Sequence, residues 1–184
     1  MTLSESILPW REHVVKRIFS VAAGRALLRS CHTAVAAAEQ LETLDMARPG
    51  IRSFEPLAGL GKLRKVDAHM TEATDLTLLA KCAALQELDV SSTACHSLEP
   101  LAALQKLRRL DVSWTRASTI GELVGLPSLR EINLCGTRVR DLRPLALFPA
   151  LTTVCLDPRQ RGLPGMGRLR ALFPQVNVIG PSQW

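Results

Sequence analysis

A strict 22-residue period constrains this chain more than any other feature. Lines of 22 residues begin at Leu41, Leu63, Leu85, Leu107, Leu129, Leu151 and Phe173, with no insertion or deletion between them. Three residues on stand Leu44, Val66, Leu88, Leu110, Ile132, Val154 and Val176, and two further on Met46, Ala68, Val90, Val112, Leu134, Leu156 and Val178. All 21 positions are apolar against a 47% apolar background, so the period belongs to the fold and not to composition. The second half of each line repeats as well. Leu98, Pro100, Leu101, Ala102 and Leu104 return as Leu142, Pro144, Leu145, Ala146 and Phe148, and are matched earlier by Phe54, Pro56, Leu57, Ala58 and Leu60.

The working pattern is LxxLDVSxTxxxxLxPLAxLxx. Apolar residues two apart are the signature of a short strand with one buried face. Apolar residues three apart, after the turn at Thr, suit a 3₁₀ or short helical segment. One such unit cannot bury both stripes alone, but stacked neighbours can. The fold class is therefore α/β: a right-handed solenoid with a parallel sheet on the concave face and 3₁₀ or short helical segments on the convex face. We divide the chain into a helical N-terminal cap (1–40), six 22-residue repeats (41–172), and a terminal strand and tail (173–184). The last strand is placed at Gln175–Ile179, and Leu163, Met166, Leu169 and Leu172 keep a three-residue spacing before it. The tail from Gly180 frays unless Trp184 folds back.

The pattern resembles leucine-rich repeat proteins of the 22-residue class, such as phosphatase-1 regulatory subunits and bacterial internalins. LDVSST (Leu88–Thr93) and LDVSWT (Leu110–Thr115), with Thr after the strand, are also similar to repeats of kinetoplastid leucine-rich repeat proteins. The resemblance covers 41–180 and implies a non-catalytic protein-interaction scaffold that binds through its concave face. It also allows a regulatory subunit of an enzyme such as a phosphatase. Ile7-Leu8-Pro9, Ile18-Phe19-Ser20, Leu27, Leu28 and Cys31 faintly resemble an F-box, the mark of a ubiquitin-ligase adaptor; the spacing is about two residues longer than in that motif, and its closing Trp is absent.

Net charge is +6, and its excess sits at the ends: five Lys/Arg against three acids in 1–40, four against one in 156–184, fourteen against thirteen between them. A nucleic-acid face concentrates its bases where it binds. An RNA- or ribonucleoprotein-associated role therefore needs the two ends to act together, and nucleic acid is the less favoured partner. His13–Ala38 has four Lys/Arg and no acid, which also fits a mitochondrial transit segment. Five cysteines without CxxC spacing point instead to a reducing, intracellular and most simply cytoplasmic setting. No apolar run is long enough to span a membrane, and a monomer is expected.

Function should lie in the outward rows of the strands. These are Thr43, Lys65, Glu87, Arg109, Glu131 and Thr153; then Asp45, Asp67, Asp89, Asp111, Asn133 and Cys155; then Ala47, His69, Ser91, Ser113, Cys135 and Asp157. Four aspartates in one row form either an acidic stripe or a hydrated repeat consensus. Trp114 stands where its counterparts are Ser92 and Gly136, with arginines nearby. Trp and Arg dominate interface energetics. Candidate partner-binding residues are accordingly Arg109, Trp114, Arg130, Glu131, Asp89, Asp111, His69 and Glu87. The Thr row (Thr71, Thr93, Thr115, Thr137) suits backbone satisfaction in the turns. Cys82 and Cys95 fall at core phases; Cys135 and Cys155 are two positions out of register, too far apart for an easy disulfide. The four histidines make no ligand cluster, no P-loop, GxGxxG, HExxH or GxSxG is present, and neither catalysis, metal nor cofactor is expected.

Overall fold

The computed structural model describes residues 40–47, 49–57 and 59–184. The N-terminal cap, the transit-segment and F-box readings, and Arg48 lie outside the described residues.

Each line of the repeat contributes one three-residue strand: β1 Thr43–Asp45, β2 Lys65–Asp67, β3 Glu87–Asp89, β4 Arg109–Asp111, β5 Glu131–Asn133, β6 Thr153–Cys155 and β7 Asn177–Ile179. They form one parallel sheet in chain order. From β1 to β6 the in-register partners are 22 residues apart, as in Leu88 with Leu110 and Leu110 with Ile132. The central residue of each of these strands points into the core and is buried.

The chain returns along the other wall in 3₁₀ segments: Glu55–Leu57, Thr77–Lys81, Glu99–Ala103, Gly121–Leu123 and Arg143–Leu147. Their hydrogen bonds explain the three-residue spacing of leucines. Leu101 N–H donates to the Leu98 carbonyl, Leu104 N–H to Leu101, and Leu107 N–H to Leu104. With three residues per turn, every third side chain eclipses the last. All four leucines therefore point the same way, and all are fully buried. Each coil leans on the next, so the core is one continuous column of apolar side chains from Leu44 to Leu169.

The last coil departs from the period. Asn177, not Gln175, pairs with Thr153, so β7 lies 24 residues on and begins two residues later than the period places it. The cause is a change of helix type. The segment opposite is an α-helix, α1 (Met166–Leu172), seven residues long, where inner coils use up to five residues of 3₁₀. At about 1.5 and 2.0 Å rise per residue respectively, both cover about 10 Å, and the α form consumes two more residues. It also rotates the apolar stripe. Met166 and Leu169 are buried and Phe173 packs on the core, while Leu172, in phase for a three-residue turn, is 54% exposed.

The turns after the strands hold a second row. Met70, Ser92, Trp114 and Gly136, one period apart, all adopt positive φ, from +55° to +70°. Pro158 is next in phase, and its ring forbids that conformation. The Thr row behind them is buried at Thr71, Thr93 and Thr115. The Thr93, Thr115 and Thr137 hydroxyls donate to the carbonyls of Val90, Val112 and Leu134, the backbone role expected of the row, whereas the buried Thr71 hydroxyl makes no such bond. Where Arg159 ends the row, buried Gln160 reaches back and donates to the Leu134 carbonyl and the Thr137 hydroxyl.

Two glycine tests check this account by urea unfolding. Ser92→Gly relieves a left-handed backbone costing about 1–2 kcal/mol, less glycine's own entropic penalty, for a net gain of about 0.5–1 kcal/mol. Gly165, before α1, has φ +103°, and a Cβ there would lie 2.3 Å from the Arg143 nitrogen. Gly165→Ala should lower stability by more than about 2 kcal/mol.

Candidate functional site

The outward residues at the first position of each strand form a charge ladder. Lys65, Glu87, Arg109 and Glu131 stand side by side on β2 to β5. Lys65 Nζ lies 2.8 Å from Glu87 and Arg109 lies 2.8 Å from Glu131. These pairs are solvent-screened, worth under about 1 kcal/mol each, but they fix where each charge stands.

The aspartate row has a local task. Asp45, Asp67, Asp89 and Asp111 each accept, through Oδ1, the backbone N–H two residues on, and Asn133 does the same for Cys135. The chain turns there and the sheet supplies no partner for these N–H groups, so the carboxylates cap the turns. The row also sinks toward the C-terminal end. Asp67 and Asp89 are half-buried, while Asp111 is 7% exposed and accepts from the Asn133 amide at 2.9 Å. The aspartates of the repeat consensus are thus turn caps, and the expectation that they are all hydrated is corrected at Asp111. Burial pushes the Asp89 carboxyl up, opposed by its bonds to Ser91 and assisted by the charges of Asp111 and Asp67. Potential ligand atoms of Asp67, His69 and Asp89 lie within 4.8 Å of one another. Oδ1 of Asp67 and Oδ1 of Asp89 each cap a turn.

The largest departure from the sequence reading is at the cysteines and the tail. Cys135 and Cys155, expected to face outward and apart, are buried with their sulfurs 3.1 Å apart. In the slanted parallel ladder the Cys155 carbonyl accepts the Leu134 N–H, which brings the next residue, Cys135, over its side chain. Ile179 and Trp184 pack on the pair. Trp184 does fold back, with the Arg109 guanidinium 4.2 Å from its ring centroid. Such a cation–π contact is worth about 0.5–2 kcal/mol.

Together these elements shape a cleft of about 580 Å³ on the open face of the sheet. Of the eight candidates, Glu87, Asp89, Arg109, Asp111, Arg130 and Glu131 line it; His69 and Trp114 do not. His69 sits beside it, bonded to Asp67 at 2.7 Å. Trp114 stands at the strand-end rim, 67% exposed, its ring flat over Gly136, where a Cβ would come within 2.6 Å of it. Lys65, Asp67, Arg108 and Trp184 also line it. The first three lie in or beside the outward rows. Trp184 carries no repeat signal at all, and its place depends on the two-residue shift of β7.

No family model matches the chain, and no curated protein matches its sequence. Among solved structures, an internalin (inlF) from Listeria monocytogenes superposes with a TM-score of 0.67 at 21% identity, over 79% of this chain and 42% of that one. Internalin C2 from the same organism gives a TM-score of 0.61 at 33% identity, over 70% of this chain and 57% of the other. The chain is a leucine-rich repeat protein. Its repeats are similar to those of internalins, and this leucine-rich repeat chain spans about half the length of these two internalins. Among the described residues no helix is long and apolar enough to cross a membrane.

His69 gives the leucine-rich repeat face a pH dependence. The hydrogen bond to Asp67 raises its pKa above 6.5, burial opposes, and the charges of Asp67, Asp89 and Asp45 add to the rise. A raised folded-state pKa means stability that is complete below the unfolded value and is lost as pH climbs through the folded one. His69→Gln should therefore cost stability at pH 5.5 and nothing at pH 9. The side chain is about 41% exposed, so the difference should stay under about 1 kcal/mol, measured by urea unfolding at both pH values.

Proposed function

We propose that this protein is a non-catalytic scaffold that binds a protein partner across the open, concave face of its sheet. The observation that carries this reading is the pair Met70 and Trp114. Both are large apolar side chains, 56% and 67% exposed, at positions whose backbone favours glycine. Each is unfavourable twice, in backbone strain and in hydrated apolar surface. Both are offset when a partner covers them. The cleft beside them offers Lys65, Arg108, Arg109 and Arg130 with Asp67, Glu87, Asp89, Asp111 and Glu131. Mixed charges at fixed positions complement a polypeptide better than a polyanion, which supports the protein reading over the ribonucleoprotein one. Within that surface, Trp114, Arg109 and Arg130 are the anchors; Glu87, Glu131, Asp89, Asp111 and His69 set the charge pattern around them.

Affinity capture tests the proposal, with wild type and Trp114→Ala/Arg109→Glu as parallel baits. Both must first show comparable unfolding midpoints. The expected outcome is a set of polypeptides captured by wild type and reduced at least about tenfold on the variant, as for loss of an interface anchor. Equal capture by both baits sinks the assignment of the concave face.

A further inference from the structure

The Cys135–Cys155 pair has no part in the core column or in the charge ladder. Cys82 and Cys95 belong to the main core, whereas these two thiols form a separate small cluster with Ile179, on the open-face side of the sheet, covered by Trp184. Their sulfurs are 3.1 Å apart, so a bond of about 2.05 Å needs an approach of only about 1 Å. The residues that carry them also touch Trp114 and Trp184. The Cys135 carbonyl accepts the Trp114 N–H at 2.8 Å, and Trp184 lies over the pair.

The cover lies at one end of the sheet. β7 is an edge strand, three residues long, paired on one side with β6. Asn177 is exposed and Val178 half-buried. Beyond it, the Gly180 N–H and the Gln183 side chain bond each other, and Trp184 rests on Arg109. Short edge elements of this kind open locally at lower free energy than the core.

We propose that Cys135 and Cys155 are a redox site, closing to an intramolecular disulfide with a small-molecule disulfide such as oxidised glutathione, with the Ile179–Trp184 segment as its cover. When the cover lifts, one protein thiol loses its proton, and the thiolate attacks a glutathione sulfur and expels one glutathione as its thiolate. The second protein thiol, deprotonated in turn, attacks the protein sulfur of the mixed disulfide and expels the other glutathione. Two protein thiols thus give up two electrons and two protons; one glutathione disulfide becomes two glutathione thiols. Burial keeps both sulfurs protonated and so unreactive while the cover is closed. Closing the bond ties the turn carrying Trp114's backbone partner to β6 and stiffens the open face.

The test uses the full chain. Wild type is equilibrated in reduced or in oxidised glutathione, quenched with acid, and alkylated with N-ethylmaleimide in denaturant. Intact mass should show five labels after reduction, one per cysteine, and three after oxidation with no glutathione retained. A non-reducing tryptic digest should then contain Glu131–Arg138 joined to Asp141–Arg159. The oxidised form should unfold roughly 10 °C higher, as expected for a loop of about 20 residues. Trp184→Ala, which leaves both sulfurs in place, should oxidise about tenfold faster. Five labels at every redox poise, a glutathione adduct that never resolves, or a link involving Cys31, Cys82 or Cys95 overturns the pair. An unchanged rate in Trp184→Ala overturns the role of the cover.

Discussion

Everything in this molecule rests on the three-residue stride of leucines along the 3₁₀ wall. Because each turn closes on an i to i−3 hydrogen bond, Leu98, Leu101, Leu104 and Leu107 all point inward, and the coil presents a flat apolar edge on each side. A single coil has nothing to cover those edges. Ordering its backbone costs more than its own leucines return, so the coil exists only against its neighbours. That dependence makes the register exact from β1 to β6 and fixes every outward side chain at a known height and row.

The polar groups follow from the same constraint. A chain that turns every few residues leaves backbone donors and acceptors without ladder partners, and each must be met locally. Aspartates meet the N–H groups after the strands; threonines meet the carbonyls three residues behind; Gln160 takes over where the repeat ends. Most of the acidic row is thus committed to the scaffold, which leaves the charge ladder of Lys65, Glu87, Arg109 and Glu131, with exposed Arg108 and Arg130, as the electrostatic pattern of the open face.

The C-terminal end shows how a local change of geometry propagates. Replacing 3₁₀ by an α-helix in the last coil absorbs two residues, shifts β7 along the chain, turns Leu172 outward and delivers Ile179 and Trp184 onto the sheet face. The cleft acquires its aromatic wall, and two thiols are sealed beneath it. The cleft is therefore composite: repeat positions set its floor, and a non-repeating tail sets one of its walls.

The sequence by itself determined the parallel sheet, the 3₁₀ wall, the apolar column, the Thr row and the strand positions of Glu87, Asp89, Arg109, Asp111 and Glu131, because a fixed period converts position in the chain directly into position in space. It could not place what the period does not reach. The two-residue shift of β7 depends on which helix type fills the last coil, a choice made by packing against Arg143–Leu147 and by the backbone crossing at Gly165. The contact of Cys135 with Cys155 depends on the slant of the ladder and the turn after β5, neither of which is written in the spacing. Burial of Asp111 and the seat of Trp184 on Arg109 depend in turn on that end being closed. Local stride and repetition are short-range properties and are legible in one dimension; register at the end of the array, and the contacts that follow from it, are decided only when the coils meet.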